Sequence, residues 1–193
     1  MDFAAQVLAA RPPLLQLRAK SVGARDTLEL LRALLPLCRN AGTLLFANDR
    51  PDLALLAGAD GVHVGQDDLP LASVRELSAV LKVGVSTHTL AELDAALAER
   101  PDYVAFGPVF ATPSKRDHQP VVGLEGLARA HERTRRALVP LVAIGGINRE
   151  RAGSVASHAE AAAVIGALIP KMGGLATVTS LAAEMQRALL GSG

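Results

Sequence analysis

The sequence predicts an α/β chain of the (β/α)8 TIM-barrel class, lacking the first strand of such a barrel. Three observations predict it. Short β-type runs alternate with longer helical ones along the whole chain, which is the pace of parallel βαβ units. On the first readable run Gln16, Arg18 and Lys20 alternate with Leu15, Leu17 and Ala19, and period two puts the polar set on one strand face. An open sheet covered by helices on both sides is normally apolar on both faces, whereas a barrel can turn polar groups into its mouth, where barrel active sites gather. Finally, carboxylates, amides and glycines recur just past the predicted strand ends, at Asn48, Asp49, Asp68, Gly145 and Gly146.

The elements follow in order. Asp2–Ala10 reads as a helix with no strand before it, and the first strand is Leu14–Ala19. A helix over Thr27–Arg39 carries the apolar stretch Leu34-Leu35-Pro36-Leu37-Cys38 and leads to a strand at Thr43–Asn48. Pro51 suits the first turn of a helix over Pro51–Ala57, and Pro70 does the same for Leu71–Val80 after the strand Gly61–Gly65. The strand Lys82–Ser86 precedes a helix over Thr89–Glu99, opened by the capping box Thr89-Leu90-Ala91-Glu92. Tyr103–Gly107, Leu141–Gly145 and Ala161–Gly166 complete the strands, with helices over Leu124–Arg136 and Ala176–Leu189. No linker, charge block or low-complexity segment divides the chain, so residues 1–193 are expected to form a single (β/α) barrel domain.

Composition bounds the function classes. With 193 residues, 50% hydrophobic and only 3% aromatic, the chain is long enough for one sizeable core, built from Leu, Val, Ile and Ala. Twenty basic against 19 acidic side chains leave a net charge of +1, which speaks against nucleic acid or an anionic membrane as a general partner. Cys38 is the single cysteine; no internal disulfide can form, and a reducing cytoplasm is the expected setting. In its apolar helix Cys38 is expected to be a buried spectator. There is no apolar run of about 18 residues and no basic-then-apolar N-terminal pattern, so a soluble cytoplasmic protein is expected. A missing first strand would leave its two neighbours with unpaired backbone edges, which either another chain or the N-terminal helix should cover, and self-association into a homo-oligomer is expected on that ground.

The chemistry is expected at the strand ends. Asp49 and Asp68 lie one strand-plus-helix unit apart; neighbouring strands run about 4.8 Å apart, so the two carboxylates can share a cation. Few carboxylates with open positions are the usual way of presenting Mg2+ to phosphates. Gln16, Arg18 and Lys20 supply donors and positive charge, Asn48 an amide, and Thr112-Pro113-Ser114-Lys115 two hydroxyls and an ammonium. Gly145 and Gly146, with Ile165 and Gly166, offer backbone N–H groups on the loops where many barrels hold a phosphate. Each element also has a plainer explanation: Asp49 and Asp68 as helix caps, Lys115 as a surface turn, the glycines as a tight bend, His88 and His63 as packing groups. Their concurrence points to two anionic pockets, one chelating a diphosphate through Mg2+ and one holding a monophosphate, with departure of pyrophosphate as the chemistry.

These residues resemble thiamine phosphate synthase. The stretches that carry the resemblance are Gln16-Leu17-Arg18-Ala19-Lys20, Asn48-Asp49-Arg50, Ala59-Asp60-Gly61-Val62-His63-Val64-Gly65-Gln66-Asp67-Asp68, Gly84-Val85-Ser86-Thr87-His88, Asp102-Tyr103-Val104-Ala105-Phe106-Gly107-Pro108-Val109-Phe110, Thr112-Pro113-Ser114-Lys115 and Ala143-Ile144-Gly145-Gly146-Ile147. The resemblance implies that 4-amino-2-methyl-5-hydroxymethylpyrimidine diphosphate loses pyrophosphate to a pyrimidine cation, captured by the nitrogen of thiazole phosphate. It implies Mg2+ on Asp49 and Asp68, the pyrimidine diphosphate on Gln16, Arg18, Lys20, Asn48, Ser86 and Lys115, and the thiazole phosphate on Thr112, Ser114, Gly146, Ile165 and Gly166. Lys115, Arg18 and Ser86 would be the catalytic groups. Two departures stand out: Gly166 lies where the family commonly has a serine, and the last unit reads His158-Ala159-Glu160-Ala161 in place of Gly-Ala-x-Gly. The alternatives are a thiazole tautomerase using His88, and a non-catalytic phosphate-binding barrel.

Overall fold

The structure is a computed structural model that describes residues 1–112, 120–170, 174 and 176–190. It forms two compact units, Met1–Val85 and Ser86–Gly193. The first contains α1 (Asp2–Leu8), β1 (Leu14–Leu17), α2 (Ala24–Ala41), β2 (Leu44–Asn48), α3 (Pro51–Ala57), β3 (Gly61–Val64), α4 (Leu71–Leu77) and most of β4 (Lys82–Thr87). The second contains the last two residues of β4, then α5 (Leu90–Ala98), β5 (Tyr103–Phe106), α6 (Gly123–Ala137), β6 (Leu141–Ile144), α7 (Arg149–Ala156), β7 (Ala161–Ala163), a 3-10 turn at Gly166–Leu168 and α8 (Ala176–Leu190). The strands are ordered as they occur in the chain. The pairs whose register is defined are parallel: Gln16 opposite Phe46, Asn48 opposite His63 and Val62 opposite Val83 in the first unit, Val104 opposite Leu141 and Ile144 opposite Ala163 in the second.

The core is aliphatic, as the composition requires. Leu31, Leu45, Phe46, Val62, Val74 and Val83 are fully buried in the first unit, and Leu93, Val104, Phe106, Leu127 and Leu141 in the second. All four residues of β3 are buried, which is what a parallel strand covered on both faces looks like. Gly61 is required there, because a Cβ would fall 2.4 Å from Phe46 Cζ and 2.5 Å from the Lys82 carbonyl. Cys38 is buried, and burial, then the Asp60 carboxylate, push its thiol up to about 11; it stays protonated and unreactive at neutral pH. No helix among the described residues is long and apolar enough to cross a membrane.

Carboxylates tie strand starts together. Asp60, just before β3, donates its N–H to the Leu45 carbonyl at 2.9 Å, while its Oδ2 accepts from Leu45 N at 2.7 Å and its carbonyl from Lys82 N at 3.1 Å. Glu160 repeats the device before β7: its Oε2 accepts from Leu141 N at 2.8 Å and its N–H donates to the Leu141 carbonyl at 3.1 Å. The glutamate that departs from the family pattern thus has a structural role. Asp60→Ala is expected to leave the N–H of buried Leu45 without its acceptor, lowering unfolding free energy by about 1–3 kcal/mol; denaturant titration of this variant beside Asp60→Asn, which keeps an oxygen there, checks it.

Several boundaries differ from the sequence reading. β1 stops at Leu17 because its neighbour stops: Leu17 lies opposite Ala47, and one residue past Asn48 the chain turns away at Asp49, whose φ is 62°. Period two therefore covers Gln16 but not Arg18 and Lys20, which lie beyond the strand. α4 ends at Leu77, with Ser78 extended. β7 ends at Ala163, so Ile165 and Gly166 lie past the strand, where Gly166 begins the 3-10 turn. The periodicity left α7 unmarked, since only Ala152 and Val155 are buried along it.

Candidate active site

In the first unit the two carboxylates meet. Asp49 follows the last residue of β2 and takes a left-handed φ of 62°, a region that Asp tolerates better than most residues. Its N–H donates to the His63 carbonyl at 2.8 Å. Lys20 Nζ lies 3.0 Å from Asp49 Oδ2. Asp68 accepts the Gly65 N–H on Oδ2 at 2.7 Å, and the Asp49 carboxylate is near enough to act on its charge. Burial pushes the Asp68 carboxyl above the usual range; the Gly65 N–H opposes this, the Asp49 carboxylate adds to it, and the Lys20 charge opposes it. Two carboxyl groups this close favour sharing a proton or a cation over standing doubly charged.

Neither aspartate caps a helix. The N-cap of α3 is Arg50 and that of α4 is Pro70, both without a side-chain cap bond. Asp68 instead accepts the Gly65 N–H just past β3, and Asp49 pairs with Lys20 just past β2. The donor set fits Mg2+: hard oxygens only, and among the described residues no group of three or more His, Cys, Asp or Glu gathers to enclose an ion. Asp49 and Asp68 are the residues that would hold such an ion. Asn48 ends β2, half-buried beside buried His63 in register, and Gln16 is half-buried on β1. Arg18 is exposed beyond β1.

In the second unit the glycine turn is built at close quarters. Gly145 and Gly146 have φ of 98° and 63°, and a Cβ on either would lie 2.5 Å from Pro108 Cβ or 2.6 Å from the Ala111 carbonyl. The segment after β5 lies along them, with Val109 N donating to the Ile144 carbonyl at 2.8 Å and Phe110 N to the Gly145 carbonyl at 3.1 Å. Ser86 is buried near the end of β4. Thr112 is half-buried after this segment, whereas Ser114 and Lys115 lie outside the described residues. Ile165 is exposed. His88 is held on both sides: its Nδ1 lies 2.6 Å from the Gly107 carbonyl and its N–H donates to Glu92 Oε2 at 2.8 Å, while Thr89 Oγ1 accepts Glu92 N at 3.1 Å. These contacts give His88 a packing role beside the capping box. The residues that sequence reasoning missed are Phe110 and Arg151, whose guanidinium stacks on the Phe110 ring and bonds the Gly146 carbonyl; nothing in a polar helical stretch marks such an arginine in advance.

Known proteins resemble this chain. The family model described as thiamine monophosphate synthase matches residues 1–168. A thiamine-phosphate synthase of Chlorobium luteolum is 40% identical over 195 residues, covering 100% of this chain and 91% of that protein. One of Roseiflexus sp. is 45% identical over 170 residues, covering 87% of this chain and 71% of that protein. Among solved structures, the thiamine phosphate pyrophosphorylase of Pyrococcus furiosus superposes with a TM-score of 0.87 at 30% identity, covering 98% of this chain and 89% of that one. The fold is accordingly TIM-barrel-like, with seven parallel strands among the described residues.

Proposed function

The chain belongs to the thiamine monophosphate synthase family and is a transferase of thiamine biosynthesis, and from that premise we propose that it works with Mg2+ held between Asp49 and Asp68. The substrates in this reading are 4-amino-2-methyl-5-hydroxymethylpyrimidine diphosphate and thiazole phosphate. The C–O bond to the diphosphate breaks with its electron pair leaving on pyrophosphate, and the resulting pyrimidine cation is captured by the lone pair of the thiazole nitrogen. Mg2+, when bound, neutralises charge that develops on the leaving oxygens.

The chain's own residues do the rest. Lys20, beside Asp49, would offer its ammonium to the diphosphate. Arg18 and Lys115 add positive charge, and Gln16, Asn48 and Ser86 orient the pyrimidine. The N–H groups of the Gly145-Gly146 turn, with Thr112, Ser114, Ile165 and Gly166, hold the thiazole phosphate. The single observation that carries the reading is the pair of carboxylates just past β2 and β3, Asp68 held by the Gly65 N–H and Asp49 with Lys20 against it. A cytoplasmic enzyme fits the lone buried Cys38, and self-association remains part of the proposal.

Pyrophosphate release tests it. Both substrates together with Mg2+ are expected to give stoichiometric pyrophosphate and thiamine phosphate, and omission of either substrate or chelation of Mg2+ to stop release. Full activity in chelator would remove the metal from the mechanism.

A further inference from the structure

Arg151, in the first turn of α7, makes two contacts that its helix does not need. Its Nη1 donates to the Gly146 carbonyl at 2.9 Å, and its guanidinium carbon lies 4.7 Å from the centroid of the Phe110 ring. Its backbone N–H is separately satisfied by Asn148 Oδ1 at 3.1 Å, the helix cap. The side chain therefore joins the glycine turn to the segment after β5.

The consequence lies in the peptide planes. In a trans peptide the carbonyl and the N–H point in opposite directions. Phe110 N holds the Gly145 carbonyl at 3.1 Å, which fixes the plane whose N–H belongs to Gly146. Arg151 holds the Gly146 carbonyl, which fixes the next plane, whose N–H belongs to Ile147. Two consecutive carbonyls are thus gripped from the protein, and among the described residues neither the Gly146 nor the Ile147 N–H has a backbone acceptor. Successive N–H groups held in this way form an anion-binding concavity. Glycine is the least restrained residue, and two in sequence with positive φ would otherwise let both planes rotate.

We propose that Arg151 is a positioning residue for the phosphate of the thiazole substrate, acting through the Gly146 carbonyl and the Phe110 ring to hold the glycine turn in its phosphate-binding form. The inference rests on the synthase reading above. Arg151 works behind the turn, so its loss loosens the pocket for one substrate alone.

Steady-state kinetics with each substrate varied in turn separate this role from a structural one. Arg151→Ala is expected to raise the KM for thiazole phosphate at least fivefold, with kcat at saturation within twofold, the KM for the pyrimidine diphosphate unchanged and the melting temperature within about 2 °C. Arg151→Lys, which keeps a donor for the carbonyl but loses the planar stack, is expected to fall between. Phe110→Leu combined with Arg151→Ala is expected to cost less than the sum of the two changes. Calorimetric titration with thiazole phosphate reads the same clamp without turnover, as a matching loss of affinity. Equal affinity in wild type and Arg151→Ala, or equal rises in both KM values, would overturn the proposal. Wild-type enzyme that binds thiazole phosphate but turns over neither substrate would instead sink the synthase reading.

Discussion

Replacing Asp68 with asparagine is expected to lower kcat/KM about a thousandfold, roughly 4 kcal/mol of transition-state stabilisation, while leaving the fold as stable as before. In the proposed reading the metal's share in steadying a leaving pyrophosphate is several kcal/mol, and a neutral amide holds Mg2+ more weakly than a carboxylate. Stability behaves differently, because the Asp68 carboxyl is held above its ordinary range by burial and by Asp49. A carboxyl raised on folding contributes fully below the unfolded value and loses that contribution as pH rises through the raised one. At neutral pH the ionised Asp68 therefore works against the fold. The Asp68→Asn change removes a negative charge and still offers an oxygen to the Gly65 N–H, so no stability is lost. The same reasoning makes the thermal shift caused by Mg2+ grow with pH across that window, since the ion competes with a proton for the pair. A fall in melting temperature matching the fall in activity would show the aspartate to be structural.

Gly107→Ala is expected to have the largest effect on stability. A Cβ there would sit 2.0 Å from the Ile144 carbonyl oxygen and 2.9 Å from its Cγ2, and the Gly107 carbonyl is the acceptor facing His88 Nδ1 at 2.6 Å. The ends of β5 and β6 must separate to admit the methyl. Overpacking against backbone costs about 3 kcal/mol, or about 6–12 °C in melting temperature for a chain of this size. Because the Ile144 carbonyl also accepts Val109 N, the displacement reaches the glycine turn and should raise the KM for thiazole phosphate. Gly153→Ala is the control: it lies in α7 with open space around its Cβ position, and is expected to be neutral or slightly stabilising. A Gly107→Ala protein that melts with wild type would contradict the packing of β5 against β6 described here.

Much of this was legible in the residues, for identifiable reasons. α3 runs over Pro51–Ala57 and α5 starts after Thr89, as read, because proline and a capping box mark first turns locally. The strand cores were legible because buried parallel strands are continuous apolar runs. Strand ends were not, since β1 stops where its neighbour turns, a fact about β2. The pairing of Asp49 with Asp68 followed from spacing, but the hydrogen bond from Gly65 N to Asp68 and the left-handed turn at Asp49 depend on loop geometry that no local pattern encodes. Arg151 was invisible for the same reason: its partners, Phe110 and Gly146, belong to other segments.

The most direct test is diffraction from crystals grown with Mn2+ in place of Mg2+ and with pyrophosphate. An anomalous peak within bonding distance, about 2.0–2.3 Å, of one oxygen of Asp49 and one of Asp68, with pyrophosphate oxygens completing the shell and Lys20 moved from Asp49 onto the pyrophosphate, is the predicted result. Bound pyrophosphate with the metal elsewhere, or with the Lys20–Asp49 pair intact and no peak between the two carboxylates, would contradict it.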